Sequence, residues 1–381
     1  MTEKTNRIFI VAGETSGDMH AASLINEIKK INPGTQFTGI GGPEMEKAGA
    51  DLLIKMNDIN FMGFSAVVKN LKTIKSALNK CESNIKANDP EVVILVDYPG
   101  FNLKLITSIR KFYKGKIAYY ISPQLWAWHK SRVKTIKKYV DLMIVVFPFE
   151  VDFYDKEGIK AVYAGHPLVK RTDDFLKNNS KASSPRIQIS ILPGSRKDEI
   201  DRMLPVLSET GRIIKREIDC DINILCSPNF KEEYYRKFLN DYDFNLIYDR
   251  DKSDLNYKFI LNSDFIITKS GTSTVECALI GTPFCVVYKA GKLNYEIGKR
   301  LIRIDKIAMV NILAGKEIVK EFLQDEVKPE NIVNECRLIL SDIKYRNAMI
   351  DNFSGIREIL TNTDASYNAA KLISQFLKQD Q

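Results

Sequence analysis

Short apolar runs that carry valine and isoleucine at consecutive positions constrain this chain more than any other feature. RIFIVAG (7–13), QFTGIGG (36–42), EVVILVDYPG (91–100), KIAYYISPQ (116–124), DLMIVVFPF (141–149) and AVYAG (161–165) occupy the first half. RIQISILPG (186–194), INILCSP (222–228), FNLIYD (244–249), DFIITKSG (264–271) and PFCVVYK (283–289) follow. A strand buried on one face alternates apolar and polar residues, whereas a run without alternation is buried on both and needs helices above and below its sheet. The intervening segments supply those helices, with apolar residues at helical spacing such as Ala21, Leu24, Ile25 and Ile28. The pattern predicts an α/β chain built on parallel, doubly wound sheets.

At 381 residues the chain suits two domains, each large enough for its own core. The polar stretch VKRTDDFLKNNSKASSPR (169–186) lacks a strand pattern and reads as a linker, with the boundary near residue 180. The expected division is therefore 1–180, 181–345 and a set of C-terminal helices over 346–381, the last from Ser366 to Lys378. The first two would be Rossmann-like domains facing across a cleft, with the terminal helices packing back on the first.

Composition narrows the partners. A net charge of +8 and a pI near 8.9 favour anionic ligands. The six cysteines include no CxxC pair and none beside a histidine, which signals neither zinc nor a disulfide framework and suits a reducing cytosol. The opening MTEKTNRIFIVAGE reads as a first strand and not as a signal peptide. Apolar runs such as Leu142–Phe149 fall far short of the ~20 residues that span a bilayer, so any membrane contact would be peripheral.

The candidate chemistry lies where strands run into turns. VAGETSGDMH places Glu14, Ser16 and Asp18 in a strand-to-helix turn, where Ser16 or Asp18 would cap the helix or meet a ligand. The turn is not GxGxxG, which disfavours a nicotinamide or flavin cofactor. EVVILVDYPGFN drives a buried strand into Asp97 ahead of Pro99 and Gly100, so Asp97 is either a general base or a cap for a helix starting near Asn102. SPQLWAWHKSRVKTIKK holds Trp126 and Trp128 before a basic run, a stacking platform or a packed turn. His20, His129 and His166 are solitary, and no metal is assigned.

FMGFSAVVKNLKTIKSALNK (61–80) carries Phe64, Val67, Val68, Leu71, Ile74 and Leu78 on one helical face, with Lys69, Lys72, Lys75 and Lys80 off it. Such a helix lies on an anionic membrane, lines an acyl-chain groove or simply covers a core. In the second half, LPGSRKDEI offers Gly194, Ser195 and Arg196 at a helix N-terminus suited to a phosphate. SGTSTVE repeats the device with Ser270, Gly271, Thr272, Ser273 and Thr274, and Glu276 follows at a position from which a carboxylate can accept a ribose diol. Two such turns in one domain favour a nucleoside diphosphate.

Taken together, GETSGD, GIGGPEMEKAG, MGFSAVV, DYPGFN, SPQLWAWHKSRV, FPFEVDFY, GHPL, LPGSR, SGTSTVECAL, GTPFCVVYK and NILAGKEIVKEFLQ resemble, in order from Gly13 to Gln324, the lipid-A-disaccharide synthase family of B-type glycosyltransferases. The resemblance implies transfer of 2,3-diacylglucosamine from UDP-2,3-diacylglucosamine to the 6-hydroxyl of 2,3-diacylglucosamine 1-phosphate, with inversion and without a metal or other cofactor. It implies a peripheral protein on the cytoplasmic face of the inner membrane. By motif it makes Asp97 the base and adds Asn311 and Gln324 to Arg196 and Glu276 as donor contacts. It also gives the 61–78 stripe, with Phe61, Met62, Phe64 and Val68, the acyl chains to hold. Met309 and Val310 depart from the family's usual Leu-Pro before the asparagine. Two rivals stand beside it: another B-type UDP-sugar enzyme, either a polyprenyl-linked sugar transferase or an epimerase, and a non-catalytic nucleotide- or nucleic-acid-binding protein. The family reading expects no nucleic acid.

Overall fold

The computed structural model describes residues 6–59, 70–126, 132–239, 244–249, 254–291, 306–360 and 364–378. Its contacts divide the chain into two units, Met1–Pro167 with Thr363–Gln381, and Leu168–Asn362. The first holds β1 (Arg7–Ala12), β2 (Gln36–Gly41), β3 (Ala50–Lys55), β4 (Val92–Val96), β5 (Lys116–Tyr120), β6 (Leu142–Val145) and β7 (Ala161–Tyr163), all parallel, in the order β3-β2-β1-β4-β5-β6-β7. The second holds β8 (Ile187–Leu192), β9 (Cys220–Cys226), β10 (Asn245–Tyr248), β11 (Phe265–Lys269), β12 (Phe284–Tyr288) and β13 (Glu321–Leu323), in the order β10-β9-β8-β11-β12-β13.

The runs without alternation are the buried strands. Every residue of β4 is buried, as is every residue of β1 after Arg7. Each such valine or isoleucine contributes roughly 1.5–3 kcal/mol, which is what holds the helices against both faces. The sequence pattern misses β3 and β13, and both are edge strands. An edge strand is half solvated and carries no continuous apolar run, as ADLLIK and the three-residue EFL illustrate.

The boundary also moves. The stretch taken as a linker is mostly helix, Pro167–Asn178, which buries Leu168, Val169, Thr172 and Phe175 in the second unit. Phe175 meets the Tyr257 ring edge-on at 5.5 Å. The many charges of VKRTDDFLK obscure that four-residue apolar stripe. The terminal helices divide as well. Ile343–Leu360 belongs to the second unit, where Phe353 stacks on Phe284 at 5.3 Å. Ala365–Lys378 returns to the first, where Ser374 accepts from Asn32 (2.9 Å) and the Phe376 carbonyl accepts from Lys116 (2.9 Å).

In each sheet the strand order reverses once: between β1 and β4, and between β8 and β11. Carboxyl ends of strands at such a reversal diverge into turns on opposite sides and leave a crevice where open α/β sheets bind ligands. The four turns in question are 13–18, 97–100, 193–196 and 270–273.

Candidate active site

At the first reversal, the turns after β1 and β4 close on each other through Tyr98. A Cβ on Gly13 would lie 2.2 Å from Cδ1 of the Tyr98 ring, so only glycine permits this approach. The Tyr98 hydroxyl donates to the Ile59 carbonyl at 2.6 Å. Burial and then the charge of Glu14 push that hydroxyl up to about 12, which places Glu14 beside the same ring. Asp97 and Tyr98 have φ values of 45° and 46°, two consecutive non-glycine residues in the left-handed region. Such a conformation costs of order 1–3 kcal/mol per residue and persists where neighbours enforce it. Here the Asp97 amide donates to the Tyr120 carbonyl (3.2 Å), and its own carbonyl accepts from Tyr119 Oη (2.6 Å) and Asn102 Nδ2 (2.7 Å). The helix that follows starts at Pro99, with Tyr98 as N-cap residue, which makes no side-chain capping bond of its own.

Asp18 is a correction. It is fully buried, and its two oxygens accept from the amides of Gly42 (2.7 Å), Glu44 (3.0 Å) and Met45 (3.1 Å), which caps the short helix Pro43–Lys47 and not its own. The helix Thr15–Ile31 has Glu14 as N-cap and no side-chain cap, so Ser16 does not cap it either. Both oxygens of Asp18 are thus turned to the chain; Glu14 and Ser16, half-buried, remain at the turn.

The loop after β5 is held by an acid that sequence reasoning passed over. Ile121, β-branched at φ 60°, opens it. Glu150, 1% exposed, accepts from Ser122 Oγ (2.5 Å), Trp126 Nε1 (3.2 Å) and the Phe147 amide (3.2 Å). Burial pushes its carboxyl up to about 7 against those hydrogen bonds. Trp126, edge-on to Phe149 at 5.0 Å, is therefore packed and anchored, and Trp128 and His129 lie outside the described residues.

At the second reversal, Gly194 has φ 113°, a conformation that glycine adopts without strain. It turns the chain from β8 toward the helix Lys197–Glu217 and exposes Ser195 and Arg196. After β11, Gly271 is the N-cap of Thr272–Ile280. The hydroxyls there differ in use. Ser270 donates to the Ile307 carbonyl (2.8 Å), Ser273 pairs with Thr268 (2.8 Å), and Thr274 donates to the Gly271 carbonyl (2.8 Å). Thr272 is exposed and its hydroxyl makes no bond among the described residues. The first amides of both helices lack intrahelical acceptors and point along the positive ends of their dipoles. Glu199 and Lys269, two charges that the sequence reading left aside, meet here at 2.9 Å.

Glu276 projects from the same helix with Tyr257 Oη donating to its Oε1 at 2.9 Å. The Arg171 guanidinium lies 4.9 Å from the Tyr257 ring centroid. Burial raises the Glu276 carboxyl, opposed by Tyr257 and Arg171. Tyr257 thus holds the Glu276 carboxyl, and it carries no sequence signal, since it sits in the apolar pattern of a packed helix, Leu255–Asn262.

Asn311, expected as a donor contact, is spent on the chain. Asn311 is fully buried; its Nδ2 donates to Val319 O (2.9 Å) and Glu321 Oε1 (2.7 Å), while its Oδ1 accepts from the amides of Ile318 (2.8 Å) and Val319 (3.0 Å). That uses its full amide capacity. Glu321 in turn accepts from the amides of Ile307 (2.8 Å) and Ala308 (3.0 Å). Because Ser270 binds the Ile307 carbonyl, this knot fixes the turn after β11 from behind. Gln324 has φ 51°, and its side-chain amide lies beside Ala290, where the orientation with O and N exchanged donates to Ala290 O (3.2 Å) and accepts from Ala290 N (3.0 Å).

Phe61, Met62, Phe64 and Val68 lie outside the described residues. Val67 does as well, and the stripe from Leu71 onward belongs to the helix Leu71–Asn88, where Ile74 is buried, Leu78 packs on the core, and Lys72, Lys75 and Lys80 are exposed. That portion is an ordinary surface helix over a core. No helix among the described residues is long and apolar enough to cross a membrane.

Known proteins share the fold, and several share the sequence over nearly the whole chain. Residues 8–375 match the family model described as lipid-A-disaccharide synthetase. The lipid-A-disaccharide synthase of Trichlorobacter lovleyi is 34% identical over 382 residues, covering 99% of each chain. That of Nitrosococcus oceani is 39% identical over 359 residues, covering 93% of this chain and 92% of its own. A UDP-GlcNAc 2-epimerase from Neisseria meningitidis, solved with UDP-GlcNAc bound, superposes with a TM-score of 0.65 over 98% of this chain and all of that one at 12% identity, which is a likeness of fold. The epimerase alternative therefore has the architecture without the family. With its two doubly wound domains and its motifs in sequence, the chain belongs to the lipid-A-disaccharide synthetase family of glycosyltransferases.

Proposed function

We propose that this glycosyltransferase moves 2,3-diacylglucosamine from UDP-2,3-diacylglucosamine to the 6-hydroxyl of 2,3-diacylglucosamine 1-phosphate. The observation that supports the reading is the left-handed pair Asp97–Tyr98 at a strand-order reversal, held in place by Tyr120, Tyr119 and Asn102. Asp97 accepts the proton of the attacking hydroxyl as the new bond forms at the anomeric carbon and the bond to UDP breaks, which inverts that carbon in one displacement. The leaving diphosphate gains negative charge. The amides of the turns at Gly194–Arg196 and Gly271–Ser273, the two helix dipoles behind them and Arg196 stabilise it. Glu276 accepts the ribose hydroxyls. Asn311 and Gln324 act through the backbone they tie, and Glu14 and Ser16 face the acceptor.

Both substrates carry acyl chains, and a net charge of +8 favours anionic lipid, so the protein works at the surface of the inner membrane, on its cytoplasmic face. The test is UDP release from UDP-2,3-diacylglucosamine by the purified protein in detergent. Release is expected only when 2,3-diacylglucosamine 1-phosphate is present; a folded protein that shows no acceptor dependence would overturn the assignment.

A further inference from the structure

Glu199 stands inside the turn assigned to the diphosphate. Its Oε2 accepts the Ser195 amide at 3.2 Å, and its Oε1 lies 2.9 Å from Lys269 Nζ and 3.5 Å from Arg196 Nη1. A Cβ on Gly194 would fall 2.5 Å from Oε2, so the carboxylate sits directly over the glycine that a phosphate would approach. A backbone amide, an ammonium and a guanidinium around one pair of oxygens form the donor set that also binds a phosphate.

Lys269 connects the two turns. Its Cε and Nζ lie 3.3 Å and 3.5 Å from where a Cβ on Gly271 would be, while the same Nζ holds Glu199 over Gly194. The Lys269 and Glu199 side chains are 21% and 18% exposed. They are desolvated enough that withdrawing one leaves the other poorly compensated.

We propose that Glu199 is a resident anion of this cradle, holding the place of a diphosphate oxygen until nucleotide displaces it, and that Lys269 then exchanges carboxylate for phosphate and becomes a donor-binding residue. The inference rests on the reading of this turn as the donor site. It gives the motif a second acid-base pair with a purpose: the cradle's cations stay converged when empty, and the returning carboxylate helps expel UDP after transfer.

The test is calorimetric titration of the wild type, Glu199→Gln and Lys269→Gln with UDP, with thermal melting to confirm that each is folded. Glu199→Gln removes a competing charge and is expected to bind UDP about tenfold more tightly, while Lys269→Gln binds about tenfold more weakly. A merely structural ion pair would shift both variants in the same direction, which is why the opposite signs decide the matter. Weaker or unchanged binding by Glu199→Gln would overturn the resident anion, and unchanged binding by Lys269→Gln would overturn the exchange. A wild type that binds no UDP removes the donor reading and this inference with it. A wild type that binds UDP, with both variants equal to it, leaves the donor reading standing and sinks only the inference.

Discussion

The two strand-order reversals of this molecule sit at equivalent places in equivalent sheets, yet different forces hold their turns. Between β1 and β4 the backbone of Asp97 and the Tyr98 ring are held by steric and neutral contacts: Gly13 against the ring, Tyr119 and Asn102 on the Asp97 carbonyl. Between β8 and β11 they are ionic: Glu199 with Lys269, Arg196 and the Ser195 amide. One acid of each unit follows suit. Glu150 is held only by neutral donors and its carboxyl rises to about 7, whereas Glu199 is held by cations. A general base must be kept at one angle and one position, which packing and hydrogen bonds to the backbone achieve. A leaving diphosphate must be bound and then let go, which favours exchangeable charges.

The largest way to break the comparison is Asp97→Asn. It preserves the shape of the first turn and removes the proposed proton acceptor, so kcat is expected to fall on the order of 10²- to 10⁴-fold with UDP affinity unchanged. Steady-state kinetics beside UDP titration check this. A fall in UDP affinity of similar size would mean that the two turns are not divided between base and leaving group.

Next is Asn311→Ala, which attacks the ionic side through its support. Two buried amides, a carbonyl and Glu321 lose their partner, at an expected cost on the order of 3 kcal/mol in unfolding free energy. Denaturant titration reads the loss, and a weaker grip on UDP should accompany it because Ser270 loosens with Ile307. Full stability combined with lost UDP binding would show instead that Asn311 touches the nucleotide.

Glu150 sharpens the neutral side. Its folded carboxyl, at about 7, lies above its ordinary value of 4.5. The folded state therefore holds the proton more tightly than the unfolded one, and the associated stability is complete below pH 4.5 and lost as pH rises through about 7. The shift corresponds to about 3 kcal/mol. Glu150→Gln is expected to be less stable at acid pH, because an amide offers one accepting oxygen where the carboxyl presents oxygens to Ser122 and Trp126 on one side and to the Phe147 N–H on the other, and to lack this slope. Denaturation midpoints across the window, compared between the two proteins, isolate Glu150 from the other raised carboxyls. Parallel curves would remove it.

What could be read beforehand divides along similar lines. Continuous apolar runs such as VVILV announce buried strands because the surroundings on both faces are alike, while β3 and β13, solvated along one edge, carry no such mark. Glycine-rich turns after strands located both reversals, since backbone conformation is a local property. Partners were not legible. Asp18 looks like a cap for its own helix, and its actual amides begin 24 residues later at Gly42. Lys269 and Glu199 look like solvated charges until tertiary structure brings them together across 70 residues of sequence. The family resemblance named Asn311 without distinguishing a residue that touches a ligand from one that holds the loop.

The smallest expected effect tests whether neutral positioning also operates on the ionic side. Tyr257→Phe removes the one hydroxyl that bonds Glu276 among the described residues and leaves the ring, with its contacts to Phe175 and Arg171, in place. Losing that bond costs about 1 kcal/mol, or roughly fivefold in UDP affinity. Burial already raises the Glu276 carboxyl and the Tyr257 hydrogen bond lowers it, so the variant's carboxyl rises further and takes up its proton at higher pH. A protonated acid accepts a ribose diol less well. The affinity loss should therefore grow as pH falls, while kcat at saturating donor stays near that of the wild type. UDP titrations at several pH values, with kcat measured in parallel, separate this from the Asp97 variant. A loss confined to kcat would place Tyr257 with the chemistry and not with the nucleotide.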